Sequence, residues 1–224
     1  MSRQSPKRIV MLASSSPRRR ELLALAGAMI TLAAAPVDET QRAGETPEAY
    51  VRRLSEEKAK AAARKLRFGS LVLAADTVVV NDGRVFGKPA DAAEATRLLT
   101  ALRGKSHEVL SAITVIDTAS GSMTTDFART EVPMRHYTDE ELAAYVASGD
   151  PFDKAGAYAI QHAGFHPVEG LSGCYANVMG LPLCHVTRTL REMNVPLPAD
   201  VPQACQQFTR YCCPVYERIL EGKP

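Results

Sequence analysis

Apolar residues come in two rhythms along this chain. Unbroken runs at Ile9–Ala13, Met29–Val37 and Ser70–Val80 read as buried strands. Asn81-Asp82-Gly83-Arg84 is a hairpin signal with Val85-Phe86 returning. Glu108–Asp117 and Met123–Met134 add two strands joined by a Ser120-Gly121 turn. Between the runs the spacing changes to three and four. Ser16-Pro17 is an N-cap with proline at the first helical position, predicting a helix to about Gly27. Thr46-Pro47-Glu48 opens a long helix to about Leu66, with Tyr50, Leu54, Ala61 and Ala62 on one face. Asp91-x-x-Glu94 begins a helix that ends at Gly104, with Ala95, Leu98, Leu99 and Leu102 as its stripe. A capping box at Thr138–Glu141 starts a helix stopping at Ser148-Gly149, and Leu183, Val186, Leu190 and Met193 mark the last helix of the domain. Strands alternating with helices predict an α/β fold.

Four features break these patterns. Arg18, Arg19 and Arg20 occupy a first helical turn, where positive charge opposes the helix dipole by a few tenths of a kcal/mol each. An anion held by backbone N–H groups, serines and guanidinium groups would compensate; a solvated basic helix start is the plain alternative. Lys58 lies on the apolar helix face, four residues after Leu54, either snorkelling or serving a ligand. Asp76 interrupts the most apolar strand and needs a hydrogen bond, a counter-ion or a metal. Counting back from Asn81 opposite Arg84 sets Lys88 across from Thr77 and diagonal to Asp76, as a salt bridge or a shared site.

Composition narrows the field. A chain of 224 residues that is 46% hydrophobic can bury one sizeable core. A net charge of +2 gives no cause to expect nucleic acid or a membrane surface as partner, and no apolar run approaches a membrane span. With no secretory pattern, a cytoplasmic location and five reduced cysteines are the expectation. Val195–Pro202 reads as a proline-rich linker, so the chain divides into a domain at 1–194 and a cysteine-containing extension at 195–224. There is no Gly-x-x-x-x-Gly-Lys-[Ser/Thr] loop, no His-Glu-x-x-His and no paired Cys-x-x-Cys. The remaining singular residues, four cations with Glu39 and Asp76, suit a polyphosphate bound with a divalent ion.

Seven blocks carry a resemblance: Leu12–Arg19, Val37-Asp38-Glu39, Glu57-Lys58-Ala59, Ala75–Val79, Gly87-Lys88-Pro89, Asp153–Tyr158 and Gly180–Leu183. In this order they resemble the Maf family of nucleoside triphosphate pyrophosphatases. The resemblance implies a Maf/inosine-triphosphatase-like α/β domain with an elongated mixed sheet flanked by helices, and two lobes with a central cleft. It implies cleavage between the α and β phosphates of a nucleoside triphosphate, with Mg²⁺ or Mn²⁺ as cofactor, and a possible homodimer. By matching positions, Asp76 is the expected catalytic base and, with Glu39, a metal ligand. Ser14, Arg18, Arg19, Lys58 and Lys88 match the phosphate-binding set. Arg18, Thr77 and Gln161 match the specificity positions of the branch that prefers dTTP and UTP. The chain departs from that branch after Gln161, where His162-Ala163 stands in place of a glycine. The same chemistry on a modified nucleotide, or a nucleotide-binding regulator of septum formation, are the competing readings.

Overall fold

The computed structural model describes residues 9–34, 36–66 and 69–223. Its first elements are β1 (Val10–Leu12), α1 (Pro17–Ala24), β2 (Ile30–Leu32), α2 (Pro47–Ala63), β3 (Leu71–Asn81) and β4 (Arg84–Phe86). Then come α3 (Ala92–Leu102), β5 (Ser106–Asp117), β6 (Met123–Pro133), α4 (Asp139–Ala147), α5 (Tyr175–Val178), α6 (Leu183–Glu192), α7 (Val201–Thr209) and α8 (Tyr216–Leu220). Four helices start at their predicted caps: Ser16, Thr46, Asp91 and Thr138 each accept a backbone N–H three residues on. Such a cap stabilises a helix by about 1 kcal/mol.

The strands form one mixed sheet in the order β2-β1-β3-β5-β6, with β4 also on β3. β1 runs parallel to β2 and β3, whereas β3, β5 and β6 are antiparallel. Alternation along β3 sorts the core. Val72, Ala74, Val78 and Val80 face α2. On the other face Leu71, Leu73 and Ala75 pack with α1 and α6, whereas Val79 packs with α3 and α4. The partner helices change between Ala75 and Val79, so two lobes meet over one strand.

The sheet has an opening at this seam. β1 pairs with β3 only at Leu71–Leu73, and β4 only at Val79–Asn81. Residues 74–78 therefore have no strand on that side, and the chain leaves β1 there to form the Ala13–Ser16 loop.

Two expectations need correction. Among the described residues the second strand covers Ile30–Leu32 rather than Met29–Val37, within which Ala35 lies outside the described residues, because its partner β1 offers only three residues. The hairpin pairs Asn81 with Arg84 as expected, but β4 stops at Phe86 and the register never reaches Lys88. The Gly87 carbonyl instead accepts the Gly156 N–H at 3.0 Å, and Pro89 has no N–H to offer.

Residues beyond α6 pack on the same core. Val201 is fully buried, and Val195, Leu197, Cys205, Val215 and Ile219 join the cluster of Leu183, Val186 and Leu190. The Arg188 guanidinium, on α6, donates to the Ile219 carbonyl at 2.8 Å and to both Asp126 carboxylate oxygens. All five cysteines are free thiols. Burial pushes Cys184 up to about 12 and Cys205 to about 11, so both are neutral near pH 7.

Candidate active site

A cleft of about 930 Å³ opens where β3 lacks its neighbour. The loop after β1, the N-terminus of α1, the inner face of α2, the middle of β3, the segment after β4, residues 153–161 and residues 178–180 line it. Every residue singled out for the site (Ser14, Arg18, Arg19, Glu39, Lys58, Asp76, Thr77, Lys88 and Gln161) lies on its wall.

Asp76 is buried at the floor, on the face of β3 that meets α2. Lys58 projects from α2 into the same space, its Nζ 2.5 Å from Asp76 Oδ1 and 2.7 Å from Glu39 Oε1. The lysine on the apolar helix face is thus the counter-ion of both carboxylates. Asp76 takes its ammonium from the helix and not, as the hairpin count predicted, from Lys88. Burial pushes the Asp76 carboxyl above its ordinary 3.8; Lys58 and Arg19 pull the other way, and Glu39 adds to the rise. Glu39 sits on an irregular loop that α2 holds in place. The Tyr50 hydroxyl donates to its carbonyl at 2.6 Å, and Arg53 donates to the Thr40 carbonyl while forking onto Glu45 at 2.6 and 2.8 Å.

Arg19 turns into the protein. Its guanidinium donates to the Ala75 carbonyl at 2.7 Å, the Gly180 carbonyl at 2.8 Å, Thr77 Oγ1 at 3.1 Å and Ser14 Oγ at 3.4 Å. Ala75 lies in the unpaired stretch of β3, so Arg19 stands in for the missing strand and ties it to α1 and to Gly180. Thr77 Oγ1 is also engaged, with Ser111 Oγ at 2.8 Å and the Gly180 carbonyl at 3.2 Å. Ser14 Oγ accepts from Arg19 and from the Ser16 N–H, which leaves its own hydrogen for a ligand. Arg18 is paired with the Asp153 carboxylate at 3.1 Å. Two of the three wrong-signed arginines are therefore compensated from within the chain.

Sequence reading missed the partner of Arg18. Asp153 holds Arg18 through one oxygen and Lys154 through the other, at 2.6 Å. Lys154 is itself buried and bound to Asp150. The block Asp153–Tyr158 carries part of the resemblance, but the sequence does not show that Asp153 pairs with Arg18, a contact 135 residues away. Gly156 seats this segment with φ +70°, and a Cβ there would lie 2.8 Å from Val79 Cγ2. Gly156→Ala should thus cost about 2–4 kcal/mol from strain and overpacking combined, read as a lower urea midpoint.

Lys88 is exposed on the wall, and among the described residues no carboxylate pairs with it. Gln161 is exposed at the far end, its amide free of hydrogen bonds among the described residues. The departure that follows is a capped turn: His162 Nδ1 accepts the Phe165 N–H at 2.9 Å, and Phe165 stacks on Tyr145 with ring centroids 4.2 Å apart. The turn closes behind Gln161 without covering it.

No group of three or more His, Cys, Asp or Glu side chains among the described residues is placed to hold a metal ion. The hard-oxygen pair Asp76 and Glu39 matches the sparser set, one or two carboxylates completed by phosphate and water, that Mg²⁺ accepts.

A mixed α/β fold whose split strand edge carries a buried carboxylate among cations defines a class of protein that receives a polyanion. The Maf family profile, described as Maf-like protein, matches residues 9–193. A dTTP/UTP pyrophosphatase of Geotalea uraniireducens is 48% identical over 185 residues, 83% of this chain and 95% of that protein. One of Anaeromyxobacter dehalogenans is 47% identical over 195 residues, 86% of this chain and 98% of its own. The chain belongs to the Maf family. Among solved structures, a nucleoside-triphosphatase / dITP/XTP pyrophosphatase from Mycobacterium abscessus aligns with a TM-score of 0.40 and 16% identity, covering 83% of this chain and 94% of that one.

Proposed function

We propose that this protein is a nucleoside triphosphate pyrophosphatase that hydrolyses the α–β phosphate bond of dTTP and UTP, releasing the nucleoside monophosphate and pyrophosphate. The observation that carries the reading is the buried Asp76 at the floor of a cleft rimmed by Ser14, Arg18, Lys58 and Lys88. Relatives of near-complete coverage that bear that name support the substrate class. Gln161, free at one end of the cleft, can both donate to and accept from a pyrimidine edge.

In this mechanism the ionised Asp76 carboxylate takes a proton from the attacking water as its oxygen bonds to phosphorus. The bridging oxygen leaves with pyrophosphate. Lys88 and Lys58 neutralise charge that grows on the departing group, and the Ser14 hydroxyl donates a hydrogen bond to it. Mg²⁺ or Mn²⁺, held by Asp76 and Glu39 together with phosphate oxygens, would supply Lewis-acid polarisation when bound. Burial raises the proton affinity of Asp76 above that of an ordinary carboxylate, which suits its carboxylate form to act as a base.

The test is pyrophosphate release with Mg²⁺ or Mn²⁺ across dTTP, UTP, CTP, GTP, ATP and modified nucleotides. Selective turnover of dTTP and UTP is the expected result. Turnover confined to another base would keep the chemistry and reject the role of Gln161; tight binding without turnover would favour a regulator. Lys88→Ala should lower kcat/KM by about 10²-fold or more, the scale of one preorganised charge, with an unchanged Tm because Lys88 is exposed and among the described residues no carboxylate pairs with it.

A further inference from the structure

We propose that Lys58 is an exchangeable counter-ion: its ammonium holds Asp76 and Glu39 together in the cation-free protein, yields them to a divalent ion, and then turns to the phosphates. This rests on the reading of Asp76 and Glu39 as metal ligands and adds how the pair is kept ready.

The geometry assigns the role to one atom. Lys58 Nζ lies 2.5 Å from Asp76 and 2.7 Å from Glu39. Among the described residues no other side chain pairs with the Glu39 carboxylate, whose side chain is 60% exposed and whose own residue is held by the Tyr50 hydroxyl on its carbonyl. Two carboxylates brought to one point repel each other unless a cation lies between them. An ammonium supplies a single charge for two, so the unloaded pair keeps a net negative charge, which a divalent ion would neutralise. The exchange is local. Lysine is a compact charge on a flexible four-carbon stem, and its Cα stays fixed in α2 while Nζ moves.

The surroundings give the released ammonium a destination. Arg19 is committed to carbonyls and hydroxyls, Arg18 to Asp153, and Lys154 to Asp150 and Asp153. Apart from the exposed Lys88, Lys58 is then the cation of the cleft that gains most by meeting a phosphate. One residue thus links cation binding to nucleotide binding.

The experiment uses the wild-type protein without nucleotide and Mn²⁺ as the probe. Acetic anhydride labelling followed by peptide mass spectrometry should find Lys58 protected relative to Lys88. Saturating Mn²⁺ should then speed Lys58 labelling by about tenfold as the two carboxylates let go. Calorimetry gives an independent arm: Lys58→Met should bind Mn²⁺ about tenfold more tightly than wild type, since no competitor remains. Asp76→Asn and Glu39→Gln should each weaken that binding. If Mn²⁺ binds wild type and both carboxylate variants alike, the metal reading itself is wrong. If the variants weaken binding but Mn²⁺ leaves Lys58 labelling unmoved, the exchange is overturned and the metal site stands.

Discussion

An Asp76→Asn protein is expected to fold, to bind nucleotide, and to lose turnover by about 10²- to 10⁴-fold, the contribution of a positioned general base. Asn keeps the shape of the side chain at the cleft floor but has no lone pair basic enough to accept the proton of water. Wild-type-like pyrophosphate release from the folded variant would remove Asp76 from the mechanism. The same residue sets the acid limb of the pH profile. Its carboxyl is raised above 3.8, so the acid limb of kcat/KM should lie at a pH above the ordinary carboxylate value. Stability carries the opposite sign. A raised carboxyl binds its proton more tightly in the folded state, so the stability it contributes is present at low pH and lost as pH rises through the raised value. Metal-free wild type should therefore gain in Tm relative to Asp76→Asn as pH is lowered toward 4.

The second large effect is at Arg19, where the expected damage is to the structure first. Truncation to Ala leaves the Ala75 carbonyl without a side-chain donor and the Gly180 carbonyl with only Thr77 Oγ1 at the seam between the lobes, at a cost of about 3 kcal/mol. The urea midpoint should fall, and kcat with it, because α1 loses its tie to β3 and the Gly180 wall keeps only the Thr77 hydroxyl. Lys should not rescue either property, since an ammonium cannot span the carbonyls that a guanidinium fork reaches together. The contrast with Lys88→Ala is diagnostic: one variant loses stability and rate, the other rate alone. An Arg19→Ala protein as stable as wild type would mean the guanidinium is there for phosphate and not for the fold.

Local chemistry was legible in the chain, and long-range packing was less so. Caps at Ser16, Thr46, Asp91 and Thr138 act within one helical turn, so the residues that make them stand together in sequence. The hairpin register at Asn81 and Arg84 was readable for the same reason. Its extension to Lys88 was not, because what ends β4 is a hydrogen bond from Gly156, far along the chain. The length of β2 depends on a neighbour, not on its own apolar residues. Arg18, Lys58 and Asp76 declared themselves as misfits; the pairings of Arg18 with Asp153 and of Lys58 with Asp76 and Glu39 did not, since a misfit says only that compensation exists. Short elements such as α5 and the turns at Asp150–Ala157 have too few residues for a period.

The ladder between β3 and β5 runs without a break from Leu71 opposite Asp117 to Val80 opposite Glu108, passing Asp76 opposite Ala112. Mechanically this is a beam on which both lobes are mounted, with the Asp76 carboxylate at mid-span. Spreading the lobes would bend every rung of that beam, so the molecule has no axis there about which to swing. Entry of a nucleotide and escape of pyrophosphate then fall to the loops that frame the opening, at Ala13–Ser16 and 36–46 on one rim and 150–161 on the other. The floor of the cleft is thus the stiffest part of the molecule's frame, and its rims are irregular chain.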